Sequence, residues 1–261
     1  MRPPDFPDER TLVPYEASTF SGKHVLVFAP HPDDEILGCG GALADLLDRG
    51  ARVDVVLVTD GAAGARSEGE RGRIASQRME ESRSALEALG GGTLHAGRFP
   101  DRSAGGRLVE IEALLARWLV EAAPDLVFCP SPVETHPDHR AVAVALFRVA
   151  TRAASDAAAR ALEAATVAFF ELSQPFRPNF LVDITRVRAR KERAMDAFVS
   201  QAAARDYTAF AVGLGAYRRM TLSPDVLAVE AYSVVGGSRL RSDPAGVVRD
   251  LLPVVPALTG G

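Results

Sequence analysis

The residues able to do chemistry concentrate in two short clusters. His31-Pro32-Asp33-Asp34-Glu35 sets one imidazole beside three carboxylates, and His136-Pro137-Asp138-His139 sets two imidazoles around another acid. Imidazole and carboxylate are the usual ligands of a hydrolytic zinc site, which uses three protein donors and keeps one position open. His31 and Asp34, three residues apart on a strand-to-helix turn, can point the same way. His136 or His139 can supply the third donor. Zinc in such a site lowers the pKa of water from about 16 to about 7. A carboxylate that is not a ligand, Asp33 or Glu35, can then take the proton. The spare histidine can polarise a carbonyl or protonate a leaving group. His24 and His95 stand outside the clusters and read as structural. An acid at a helix start also complements the helix dipole, so Asp33, Asp34, Glu35 and Asp138 each admit a plain capping role. Two such clusters, each just past a strand, favour one shared site over two coincidental caps.

Other chemistries fit poorly. Gly38, Gly40 and Gly41 give G-x-G-G with Leu43 following, so the dinucleotide fingerprint is absent. No G-x-x-x-x-G-K-S/T or G-x-S-x-G motif occurs. These glycines are better explained by a helix that approaches a sheet closely. Cys39 and Cys129 lie in apolar or glycine-rich surroundings and read as small buried thiols. Two lone cysteines suit a reducing compartment.

The elements that must position the clusters follow from periodicity. Residues 52–59, rich in β-branched side chains, and the runs 25–29, 93–99, 126–129, 166–172, 180–184 and 226–235 predict strands. Residues 74–89 predict a helix closed by Gly90-Gly91-Gly92. Leu108, Ile111, Leu114, Leu115, Trp118 and Leu119 mark one face of another. Residues 141–165 and 185–201 predict further helices, the latter turning Ala194, Met195, Phe198 and Val199 inward; 207–220 is a mixed segment. Residues 61–72 are glycine-rich and predict a long functional loop. Strands alternating with helices imply an α/β fold: a Rossmann-like, mostly parallel sheet with helices on both faces. The clusters then lie at the C-terminal ends of strands, where open sheets place their ligands. The expected organisation is an N-terminal extension, residues 1–22, and a single domain, residues 23–261.

Thirty basic against 34 acidic residues give a net charge of −4. That argues against a nucleic-acid partner. The basic stretch 186–193 reads as a solvated helix face. No run predicts a membrane span, and residues 1–21 lack the pattern of a signal peptide. A cytoplasmic location is expected, and self-association as a homo-oligomer is left open. The short apolar segment 247–258, broken by Pro253 and Pro256, reads as a docking tail.

The chain resembles the PIG-L/LmbE-like zinc-dependent N-acetylglucosaminyl deacetylases. Ala29 to Gly41 (A-P-H-P-D-D-E-I-L-G-C-G-G) and His136 to Arg140 (H-P-D-H-R) carry the resemblance. Thr59-Asp60-Gly61, the Arg78, Glu81, Ala85 and Leu89-Gly90 pattern, Pro100-Asp101, and Val182 to Thr185 with Lys191 and Ser200-Gln201 support it. The resemblance implies that His31, Asp34 and His139 bind Zn2+, or Fe2+ in its place. It makes Asp33 the general base and His136 the group that stabilises the oxyanion or assists the leaving amine. Arg78 and Asp101 would touch the sugar, and Glu35 would support the site. The implied activity removes an acetyl group from a small amino-sugar conjugate. Relatives often carry an acid shortly after T-D-G, where this chain has Ala62 and Ala63; that departure concerns the acceptor side of the pocket. Other readings are a different amidase acting on a sugar conjugate, a non-haem iron enzyme built on the same donors and an inactive sugar-binding module.

Overall fold

The computed structural model describes residues 8–202 and 206–253. Its strands are β1 (His24–Ala29), β2 (Arg52–Thr59), β3 (Thr93–Phe99), β4 (Leu126–Pro130), β5 (Thr166–Phe170), β6 (Phe180–Asp183) and β7 (Val229–Gly236). Its α-helices are α1 (Asp34–Asp48), α2 (Glu68–Leu89), α3 (Leu108–Ala122), α4 (Pro137–Ala150), α5 (Ala157–Ala164), α6 (Arg188–Asp196), α7 (Val199–Ala202), α8 (Tyr207–Arg218), α9 (Gly237–Ser242) and α10 (Pro244–Leu251). The seven strands form one sheet in the order β3-β2-β1-β4-β5-β7-β6. The first five run parallel, and β7 lies antiparallel to both of its neighbours. This is the α/β architecture that the alternation of elements implies.

Side chains alternate across a strand with a period of two, and both faces of this sheet are buried. Val25, Val27, Val55, Leu57 and Phe128 pack with α1, α2 and α6. Leu26, Phe28, Val56, Val58 and Val127 pack with α3, α4, α5 and α9. The expected extension contributes to this core: Phe20 stacks on Phe180 at 4.6 Å and meets Phe128 and Tyr232 edge-on at 5.0 Å.

Several boundaries differ from expectation. The glycine-rich stretch 61–72 is only partly a loop, because α2 begins at Glu68. Ser67 caps that helix by accepting from the Glu70 amide at 3.2 Å, and the Glu70 carboxylate accepts from the Arg66 amide at 2.7 Å. This S-x-x-E pattern is a helix start, and it outweighs the glycines. Residues 141–165 form two helices, the second capped by Asp156. Residues 185–201 break into a short 3-10 turn, α6 and α7; Ala194, Met195 and Phe198 are buried, but Val199 is exposed. The mixed segment is α8. Of the expected docking tail, 247–251 belong to α10 and 254–258 lie outside the described residues. Among the described residues, no helix is long and apolar enough to cross a membrane.

One contact shapes α1. Glu230 on β7 reaches its interior, accepting from the Gly41 amide at 2.7 Å and the Ala42 amide at 2.8 Å. Lys191 on α6 donates to the Leu37 carbonyl at 2.8 Å and to Glu230 at 2.6 Å. Tyr232 donates to the same carboxylate at 2.6 Å. Lys191 is therefore buried, unlike the arginines of the basic stretch, of which Arg186, Arg188 and Arg190 pair with surface acids. Close approach requires glycine: a Cβ at Gly41 would meet Ile184 at 2.6 Å and Glu230 at 2.9 Å, and one at Gly38 would meet the Phe170 ring at 2.4 Å. The close-packing role expected of these glycines is borne out.

Candidate metal centre

The crevice between β1 and β4 is where the connections of this sheet diverge, the switch point at which such folds bind ligands. His31 follows β1, Asp34 opens α1, and His139 lies in the first turn of α4 after β4. Their donor atoms converge. His31 Nδ1 lies 3.1 Å from Asp34 Oδ2, His139 Nε2 lies 3.2 Å from the same oxygen, and the two nitrogens are 3.3 Å apart. Tetrahedral zinc with bonds of 2.0–2.1 Å separates its donors by about 3.3–3.4 Å, so the triangle has the size of one face of such a site. His136 brings a third imidazole within 4.8 Å of the other two, but the tighter triangle is the one completed by Asp34.

The outer nitrogens of both rings face carboxylates. His31 Nε2 lies 3.2 Å from both Asp101 and Asp138. Nε2 therefore faces the two acids as a donor, and Nδ1 is the nitrogen turned toward the triangle. His139 Nδ1 faces the fully buried Glu134 at 3.5 Å. Carboxylates behind ligating histidines orient the ring and raise its basicity. Asp138 admitted a capping role, but His136 fills it by accepting from the Asp138 amide at 3.2 Å. Asp138 instead accepts from the Arg102 amide at 2.7 Å and the Ala104 amide at 3.1 Å.

The field at the triangle favours positive charge. Burial opposes a charged His31, but Asp101, Asp138 and Asp34 hold its pKa well above the ordinary imidazole value. Burial likewise works against a charged His139, and Asp34 carries it up to about 9. Burial also opposes ionised Asp34, yet His139 and His31 hold it well below the usual carboxylate range. Surroundings that stabilise protonated imidazoles are also suited to a divalent cation, whose uptake releases those protons. The donor set therefore fits a metal.

Asp33 is set apart from Asp34 by its backbone. It adopts φ 119°, in the left-handed region, a conformation that costs a non-glycine residue about 1–3 kcal/mol. Glu35 holds it by accepting from the Asp33 amide at 3.0 Å. Arg78 donates to Asp33 Oδ2 at 2.9 Å and to the Gly61 carbonyl at 2.7 Å, and also bonds Pro32 O. Burial, with Asp34 alongside, raises the Asp33 pKa to about 8. Burial likewise lifts Glu35 to about 7.

A cavity of about 980 Å3 joins His31, Asp33, Asp34, Arg78, Asp101, His136 and His139. All seven residues singled out from the sequence thus meet in one place. Arg78 reaches it from behind Asp33, and Asp101 from behind His31. Sequence reasoning passed over Glu134, although an acid two residues before His136 was a usable signal. Lys191 and Glu230 also went unassigned as a pair, because no local pattern links α6 to β7.

Residues 26–150 match the family profile described as PIG-L, GlcNAc-PI de-N-acetylase. Diacetylchitobiose deacetylase of Thermococcus kodakarensis is 32% identical over 190 residues, 69% of this chain and 70% of that protein. Probable N-acetyl-alpha-D-glucosaminyl L-malate deacetylase 2 of Bacillus cereus is 33% identical over 137 residues, 50% of this chain and 62% of that one. Among solved structures, the inhibitor complex of N,N'-diacetylchitobiose deacetylase from Pyrococcus horikoshii superposes with a TM-score of 0.70 at 25% identity, covering 86% of this chain and 88% of that one. Sequence and fold agree, and they place this chain in the PIG-L/LmbE-like deacetylase family.

Proposed function

We propose that the protein is a metal-dependent amidase that removes the N-acetyl group from a glucosamine-type sugar conjugate. The observation that carries the reading is the donor triangle with an unliganded acid beside it. His31, Asp34 and His139 would hold a zinc ion, which supplies Lewis-acid polarisation and acidifies water when bound. Iron(II) would suit the same donors. The names of the relatives support the sugar class: their substrates are diacetylchitobiose and, probably, N-acetylglucosaminyl malate.

The roles of the chain's own groups follow from their partners. Arg78 occupies Asp33 Oδ2, so the other carboxylate oxygen takes the proton from attacking water. A base with a pKa near the working pH both accepts and returns a proton readily. His136 Nδ1 already accepts from the Asp138 amide, which leaves Nε2–H to donate. Burial and the neighbouring His31 and His139 lower the His136 pKa, so the neutral ring is the species that faces the carbonyl oxygen. A donor placed where charge develops is a large catalytic term. Asp33 then passes its proton to the departing amine. Arg78 supports Asp33 and lines the cavity, and Asp101 orients His31 beside the sugar.

The test is a panel of N-acetylated amino sugars and glycoconjugates, read by amine release from metal-free, zinc-loaded and iron(II)-loaded protein. Release that requires metal and is absent with non-acylated sugars is expected. Asp33→Asn is expected to retain stoichiometric metal and to lose roughly 10²–10⁴ in turnover. Wild-type turnover in that variant refutes the base assignment.

A further inference from the structure

The cavity is larger than an acetamido sugar needs, and its excess lies on one side. About 980 Å3 is at the upper end of sites that enclose a whole drug-sized ligand. Toward β3 its wall is polar, with Asp101 and Arg102. Toward β5 and β7 it is lined by Leu37, Leu172, Pro175 and one face of α8. That face, Tyr207, Phe210, Ala211 and Leu214, has the i, i+3, i+4, i+7 spacing that ordinarily fills a core. Yet no residue of α8 is buried: Phe210 is 64% exposed and Tyr207 38%. The helix is attached by Ala211 and Val212, which pack on the core, and by Gly215, where a Cβ would lie 2.9 Å from the Val229 carbonyl. Its apolar stripe faces the substrate cavity.

The charges in this arm are already matched. Lys191 pairs with Glu230 at 2.6 Å, and Glu171 accepts from Arg218 at 2.5 and 2.7 Å. The arm also carries Ser173, Ser200 and Gln201, whose side chains bond Glu134, Glu81 and Ser200 respectively; the rest of its wall is apolar, and among the described residues it offers no unpaired charge to a ligand. The donor triangle, on β1 and β4, stands between the polar and apolar sides. A scissile amide there that sent its sugar, which needs hydrogen-bond partners, toward Asp101 and Arg102 would point its acyl group the other way.

We propose that this arm is a subsite for an N-acyl chain longer than acetyl, so that the enzyme is a deacylase of N-acylated amino sugars. The proposal rests on the amidase reading and specifies its leaving acyl group. Hydrolysis breaks the acyl C–N bond; the oxygen of water joins the acyl carbon, the nitrogen takes a proton, and a fatty carboxylate and an amino sugar result.

The test uses the zinc-loaded full-length protein and methyl glucosaminides carrying N-acetyl, N-butyryl or N-octanoyl groups. Octyl N-acetylglucosaminide places the same chain on the aglycone instead. We expect kcat/KM for amine release to rise at least tenfold from acetyl to octanoyl. Phe210→Ser and Leu214→Ser should cut that ratio at least fivefold, with unfolding temperatures reporting that each variant is folded. A flat or falling acyl series overturns the subsite while acetyl turnover keeps the amidase reading intact. A gain that follows the octyl aglycone, or a preference that survives both substitutions, also overturns it. Should no compound be hydrolysed, the amidase reading fails, and calorimetric titration decides the subsite: octanoyl binding at least tenfold tighter than acetyl supports it, and equal binding rejects it.

Discussion

Glu134 shows how much of a metal site lies behind its ligands. Its carboxylate accepts from the Leu172 amide at 2.7 Å, the Ser173 amide at 3.0 Å and the Ser173 hydroxyl at 2.5 Å. These bonds fix it facing His139, and His139 holds its pKa low against the cost of burial. Glu134→Gln keeps the shape but removes the charge. Loss of such a partner typically weakens metal affinity 10–100-fold, and equilibrium dialysis against zinc should show that loss without loss of the His31, Asp34 and His139 ligands. The two clusters were legible because each is continuous in sequence and follows an apolar strand, but the choice of His139 over His136 as a proposed ligand came from the family resemblance. Their supports were less so. Asp138 admitted a capping role in sequence, and its two backbone donors and His31 show it instead behind the triangle. Arg78, expected at the sugar, spends its guanidinium on Asp33 and two carbonyls while still lining the cavity.

At the scale of the element, α1 is defined by what its glycines admit. Gly38→Ala and Gly41→Ala each insert a Cβ where a neighbour already sits, and overpacking of this kind costs about 1–3 kcal/mol. The expected outcome is a lower thermal unfolding midpoint for each variant. Gly72 in α2 is the control: a Cβ there meets nothing within 4 Å. Gly72→Ala should leave stability unchanged or raise it by about 0.5–1 kcal/mol, since glycine inside a helix is costly. If all three variants melt alike, close packing does not explain the α1 glycines. Strand limits were readable almost to the residue for β2, a β-branched run that ends at Asp60-Gly61, and for β3, which lies between Gly90-Gly91-Gly92 and Pro100. The start of α2 was not, because glycine content masked the Ser67–Glu70 cap. The role of α8 was also hidden: its stripe has core spacing, and only the sheet shows that it faces a cavity.

At the scale of the whole molecule, alternation of strands and helices was enough to imply the parallel sheet and the edge that carries the site. It gave no hint of the ion pair between Lys191 and Glu230, because pairing across the fold leaves no local trace. Removing one partner of a buried pair typically costs 3–5 kcal/mol, because the other charge is left uncompensated. Glu230→Gln should therefore destabilise strongly and loosen zinc binding, and Lys191→Met combined with Glu230→Met should recover part of the stability. Chemical denaturation and zinc titration of the three proteins check this. The pair also sets an order of events. The donors His31, Asp34 and His139 all lie within the first 139 residues, inside the stretch that matches the family profile. The amides of Gly41 and Ala42, however, wait for a carboxylate 189 and 188 residues further along the chain. During synthesis the ligands emerge long before the strand that holds their helix in place. Asp34, at the start of that helix, thus gains this support only once β7 has joined the sheet.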